Sequence, residues 1–122
     1  MYKINVTDTF SAAHQLKGYD GACRNLHGHT WKVRVCIICD STDDIGLSID
    51  FNIVKKHLKE LMELLDHKCL NDLEAFKEVN PTSENLSRFM YRWLKKSIDI
   101  PGCSLAEVEV WESDKSSIVY CE

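Results

Sequence analysis

The sequence predicts an α+β fold in the order β-β-α-α-β-β, with two amphipathic helices covering one face of a four-stranded antiparallel sheet. Three observations predict it. Two runs within residues 1–39 alternate apolar and polar side chains with a period of two, two runs between residues 50 and 98 place apolar side chains at helical spacing, and two short alternating runs close the chain.

In the first run Ile4, Val6, Phe10, Ala12 and His14 fall on one face, with Asp8 the exception, while Lys3, Asn5, Thr7, Thr9 and Ser11 fall on the other. A strand with one buried face has this period. The second run starts at His27 and aligns His27, His29, Trp31, Val33, Val35 and Ile37, with Gly28, Thr30, Lys32 and Arg34 opposite. Its first two inward positions are therefore histidines. "IDFNIVKKHLKELMELLDH" carries Phe51, Val54, Leu58, Leu61, Met62 and Leu65 at helical spacing behind Asp50, whose carboxylate suits an N-cap. "NPTSENLSRFMYRWLKKSI" repeats the pattern with Leu86, Phe89, Met90, Trp93 and Leu94; Pro81 and Thr82 start it, and Pro101 and Gly102 end it. "LAEVEVWES" and "SSIVYCE" then read as a strand pair turning at Asp114 and Lys115.

A length of 122 residues with 44% hydrophobic and 28% charged side chains is that of one domain spanning residues 1–122. No stretch approaches the roughly 18 apolar residues of a membrane span, and "MYKINVTDTF" alternates from the start rather than reading as a leader. A cytoplasmic protein is expected, and with it six thiols rather than disulfides at Cys23, Cys36, Cys39, Cys69, Cys103 and Cys121. The net charge of −4 argues against a broad nucleic-acid surface. The sheet's second face, lined by Lys32, Arg34, Glu107 and Glu109, and its two open edges call for pairing with other subunits, which could close a barrel.

If the first two strands form a hairpin, His14 comes level with His27 and His29. Three imidazoles at one end of a rigid sheet form the ligand set of a catalytic zinc, which leaves a fourth position open. Cys23 lies in the long connection before His27, beside Arg24. Near a metal it is either a thiolate that accepts a proton or a fourth ligand that closes a structural site, and spacing leaves both open. Cys36 and Cys39 are i, i+3 on a strand and so face opposite ways, which suits core filling. His57 stands alone among lysines and reads as solvated. Asp66 directly precedes His67, a pairing that can fix an imidazole's tautomer and raise its basicity. Glu112 ends an apolar strand.

Together "FSAAH", "CRNLHGH", "LDHKCLND", "PTSEN" and "VWESDKSSIVY" resemble, in order and spacing, the motifs of the 6-pyruvoyl-tetrahydropterin synthase / 6-carboxy-tetrahydropterin synthase family. The resemblance implies a zinc held by His14, His27 and His29, a proton-abstracting Cys23, a relay of Asp66 and His67, and a pterin-anchoring Glu112 that shares in the catalytic set. It implies that the "PTSEN" segment helps to hold the pterin, which makes Thr82, Ser83 and Glu84 secondary candidates for substrate contact. It further implies the T-fold, assembled as a barrel-shaped homohexamer of two trimers, and 7,8-dihydroneopterin triphosphate as substrate. Lys17, Arg24, Lys68 and Lys115 are candidate cations for the triphosphate. The three-residue gap between Cys23 and His27 resembles the queuosine-pathway 6-carboxy-5,6,7,8-tetrahydropterin synthases, which release acetaldehyde and triphosphate; "ESDKSSIVY" resembles the 6-pyruvoyl type equally. The alternative within the class is thus 6-pyruvoyl-tetrahydropterin synthase activity, and outside it a non-catalytic zinc-stabilised interaction module.

Overall fold

Period two at the N-terminus becomes two long strands in the computed structural model, which describes residues 1–122. These are β1 (Tyr2–His14) and β2 (His27–Cys39), followed by helix α1 (Phe51–Leu65), a two-residue strand β3 (Lys68–Cys69), helix α2 (Ser83–Ser97), and strands β4 (Cys103–Ser113) and β5 (Ser116–Tyr120). They make one five-stranded sheet in the order β3-β1-β2-β4-β5. β1 and β2 pair without a slip from Tyr2↔Cys39 to His14↔His27, so the alternation of each strand stays in phase with the other along the whole hairpin.

The helices pack on the face that carries the apolar residues. Val6, Phe10, Trp31, Val33, Val35, Ile37, Val108 and Val110 meet Val54, Leu58, Leu61 and Leu65 of α1 and Leu86, Met90 and Leu94 of α2 in one buried cluster. Each such side chain contributes about 1.5–3 kcal/mol on burial. The predicted N-cap forms, with Asp50 Oδ1 accepting from Asn52 N at 2.8 Å, and at the start signal of α2 the Thr82 Oγ1 accepts from Asn85 N at 3.1 Å. Phe51, placed by its spacing on the apolar face of α1, is instead exposed, because it begins the helix and lies beyond the sheet's cover.

On the opposite face Arg34 donates to Glu107 at 2.6 Å, to Glu109 at 2.8 Å and to Asn5 at 2.6 Å, while Lys32 Nζ lies 4.9 Å from the Trp111 ring centroid. Both outer edges remain open: β3 pairs with β1 only at Ala12 and Ala13, and β5 is the far edge.

Two further features depart from the sequence reading. The sheet has a fifth strand, parallel to β1 and only two residues long, too short for any periodicity to reveal. It is held by the chain leaving α1, where Asp66 Oδ1 accepts from Ser11 N at 2.8 Å and His67 N donates to Ser11 O at 2.6 Å. Cys39 and Cys103 form a disulfide, where six free thiols were expected; Cys23, Cys36, Cys69 and Cys121 are free. The thiol expectation came from the compartment, whereas the bond follows from register. Pro101 and Gly102 turn the chain with Gly102 at φ 73°, Cys103 N bonds Ile100 O at 3.1 Å, and Cys103 enters β4 directly opposite Cys39.

Candidate metal centre and active site

The slip-free hairpin sets the site. His14 pairs with His27 and Ala12 with His29, so the three imidazoles gather at one end of the helix-covered face, with ring centroids 4.5–5.2 Å apart. Trp31, fully buried on the same face, is their floor, its ring 5.0 Å from that of His14 and 5.2 Å from that of His29.

Backbone carbonyls orient two of the rings. His14 Nδ1 lies 2.8 Å from Pro81 O, and His27 Nδ1 lies 2.7 Å from Asn25 O. A carbonyl only accepts, so the proton of each neutral ring sits on Nδ1 and leaves Nε2 a bare lone pair. The Nε2 atoms of His14, His27 and His29 are buried and make no hydrogen bond. Three unsatisfied buried groups cost roughly 1–3 kcal/mol each. A divalent metal ion would accept all three lone pairs at once, so the residues present fit a metal.

Glu112 completes the group. Its Oε1 lies 3.3 Å from His14 Nε2 and 3.2 Å from His29 Nε2, and the four donor atoms all lie within 4.8 Å of one another. A bulge positions it: Trp111 pairs with Ser117 and Ser113 with Ser116, leaving Glu112 as the extra residue of β4. Burial pushes the His29 imidazole below its ordinary pKa, opposed by the Glu112 carboxylate and reinforced by His14 and His27.

Cys23 stands outside this group of four. It sits in a short 3-10 turn, Ala22–Arg24, tied back by Leu16 N donating to Cys23 O at 2.9 Å. Cys23 lines a cavity of about 430 Å³ with Glu112, Thr82, Ser83 and Glu84. The Thr82 hydroxyl is already engaged as the cap of α2.

Asp66 and His67 belong to another side of the centre. His67 lines an open groove of about 620 Å³ that it shares with His29, Ser11 and Lys68, and Asp66 Oδ2 lies 2.9 Å from His67 Nδ1. His67 has φ 57°, a left-handed conformation unusual for a residue with a Cβ, and its side chain is 83% exposed. Such strain persists where the surroundings fix it, here through the two bonds to Ser11. The Ser11 amide, then His67, holds the Asp66 carboxyl below the ordinary range.

Of the candidate cations, Lys17 and Arg24 border one hollow, Lys68 borders the groove of His67, and Lys115 sits in the β4–β5 turn. His57, read as solvated, is half-buried with its Nδ1 4.0 Å from Glu60. Sequence reasoning missed the carbonyls of Pro81 and Asn25, which act through the backbone and leave no side-chain signature. It also missed the place of Glu112 beside the histidines, which depends on the bulge.

A three-histidine donor set on a two-helix, mostly antiparallel sheet, flanked by a cysteine-lined cavity and an Asp-His groove, has the make-up of a small metal-dependent enzyme. The chain belongs to the 6-pyruvoyl tetrahydropterin synthase family, whose sequence profile matches residues 3–122. It is 37% identical to a 6-carboxy-5,6,7,8-tetrahydropterin synthase of Synechocystis over 98% of this chain and 93% of that one. It is 34% identical to a 6-pyruvoyl tetrahydrobiopterin synthase of Dictyostelium discoideum over 93% and 90%. The solved 6-pyruvoyl tetrahydropterin synthase of Caenorhabditis elegans superposes with a TM-score of 0.90 at 28% identity, covering 99% of this chain and 95% of that one. The T-fold of the family is therefore the fold of this chain, and no helix is long and apolar enough to cross a membrane.

Proposed function

We propose that this chain is a single-domain lyase that converts 7,8-dihydroneopterin triphosphate and one water to 6-carboxy-5,6,7,8-tetrahydropterin, acetaldehyde and triphosphate, in queuosine (7-deazapurine) biosynthesis. The observation that carries the reading is the convergence of three bare, buried Nε2 atoms beside a cavity lined by Cys23 and Glu112. The greater identity to the Synechocystis carboxy-synthase and the short Cys23-to-His27 gap favour this product over the 6-pyruvoyl one.

His14, His27 and His29 would hold zinc, whose imidazole preference they suit. When bound, zinc supplies Lewis-acid polarisation of the substrate's side-chain hydroxyls, which acidifies the neighbouring C–H. Cys23, which lines the cavity beside Glu112, takes the proton of that C–H as its thiolate. His67, oriented by Asp66, exchanges a proton from the opposite groove, so hydrogen passes from side chain to pterin ring without an external hydride carrier. The Glu112 carboxylate is acceptor-only and suits the pterin's 2-amino group and adjacent ring N–H. Ser83 and Glu84 border the same cavity. The two open edges support assembly with further copies, as a homohexamer of two trimers, and the reading places the enzyme in the cytoplasm.

The test is incubation of the purified protein with dihydroneopterin triphosphate. Acetaldehyde together with a 6-carboxy product supports the reading; a 6-pyruvoyl product would transfer it to the other synthase type. Cys23→Ala must keep its metal and lose turnover. A Cys23→Ala protein that loses metal and unfolds would mean that the cysteine is a ligand of a structural knot.

A further inference from the structure

We propose that Glu112 is a fourth protein ligand of the metal in the substrate-free protein, so that the centre is closed at rest and opens only when a ligand draws this carboxylate away. The inference rests on the assignment of His14, His27 and His29 as metal ligands. It departs from a three-histidine centre with a vacant fourth position.

The first argument is distance. Four donors around one ion at metal–ligand lengths of about 2.0–2.1 Å in a tetrahedron are separated by roughly 3.3–3.4 Å along each edge. Glu112 Oε1 stands 3.3 Å from His14 Nε2 and 3.2 Å from His29 Nε2, two edges of such a sphere, within a four-donor set that spans up to 4.8 Å before an ion draws it in.

The second argument is polarity. The Pro81 carbonyl places the proton of neutral His14 on Nδ1, so its Nε2 offers a lone pair to an acceptor-only carboxylate oxygen. Two acceptors this close repel unless a cation lies between them. A proton does not fit the geometry, since none of the three Nε2 atoms is aligned for a hydrogen bond despite the short separation. Four donor atoms within 4.8 Å of one another, with no hydrogen bond at any of the three Nε2 atoms, suit a shared cation.

The third argument is placement. Glu112 is the bulged residue of β4, its side chain is 37% exposed, and it borders the 430 Å³ cavity that also holds Cys23. One rotation of an unburied side chain takes the carboxylate from the histidines into that cavity. A ligand with a paired donor edge, such as an aminopyrimidinone ring, would draw it there and free the fourth position for the ligand's own hydroxyls. Compounds bearing a diol but no such donor edge would leave the centre closed, so Glu112 would couple ring recognition to access to the metal.

The experiment uses the full chain stripped by chelator and reloaded with cobalt(II), whose visible spectrum reports coordination, and azide as a probe of a free position. Glu112→Gln is expected to weaken cobalt binding by at least the roughly tenfold to hundredfold that even outer-sphere partners cost. It is expected to bind azide at least about tenfold more tightly than the parent protein, because no protein carboxylate has to be displaced. Glu112→Ala is the second variant and must move both readouts in the same direction. Unchanged cobalt and azide affinities in either folded variant, with His27→Ala losing cobalt, overturn the proposal and leave the three-histidine assignment standing. Retention of cobalt by His27→Ala would overturn both.

Discussion

His14 Nδ1 faces the carbonyl of Pro81 at 2.8 Å, across 67 residues of chain. Pro81, directly before the N-cap of α2, thus presents its oxygen to β1 and leaves the opposite nitrogen of His14 for the group it forms with His27, His29 and Glu112. If this bond sets the tautomer, the three-histidine centre exists before metal arrives. Zinc added to chelator-treated protein is then expected to stabilise the fold by mass action, about 2.7 kcal/mol at a free concentration of 100 times Kd. Thermal melts should show a rise of several degrees in the parent protein and none in His27→Ala; an equal rise in both would refute the ligand assignment.

Trp31 links the core to the centre, because it is fully buried beneath His14 and His29. Trp31→Ala is expected to cost about 3–5 kcal/mol in denaturant titrations. It is also expected to weaken metal binding, since the rings it supports lose their floor. Leu58→Ala in α1 is expected to cost about 2–5 kcal/mol with metal affinity unchanged, and the contrast separates general core loss from loss of support to the site.

Asp66 gives a pH signature. A carboxylate held below its ordinary range stabilises the fold above that range and loses the contribution as pH falls through its lowered pKa. Asp66→Asn is therefore expected to be less stable than the parent at pH 7, and the gap is expected to close as the solution is acidified below the ordinary carboxylate range. Unfolding curves of the two proteins across pH 2–7 check this. A gap that stays constant down the whole range would show that the charge is not what ties the loop to Ser11.

The Cys39–Cys103 bond joins residues 64 apart in sequence, and by the chain-entropy estimate it stabilises the fold by up to about 4 kcal/mol. Under non-reducing conditions thiol counting should find four free cysteines, and Cys103→Ser should lower stability by an amount that reductant reproduces in the parent. Because the bond lies at the end of the β2–β4 ladder away from the histidines, metal affinity is expected to be unchanged.

The sequence by itself determined what depends on local periodicity: four strands, two helices with the cap at Asp50 and the start signal at Thr82, and the burial of one face of each. It also determined that His14, His27 and His29 share a face, because a period of exactly two along each strand makes inward positions countable by residue number. The tertiary structure alone decided what arises between segments distant in the chain. The two-residue β3 forms only because Ser11 offers its backbone to Asp66 and His67, and Cys39 meets Cys103 only because β2 and β4 pair in one register. The tautomer of His14 depends on Pro81, and the approach of Glu112 to the histidines depends on a single bulged residue. Hydrogen bonds and bulges of this kind involve backbone atoms common to every residue, so side-chain pattern carries no record of them.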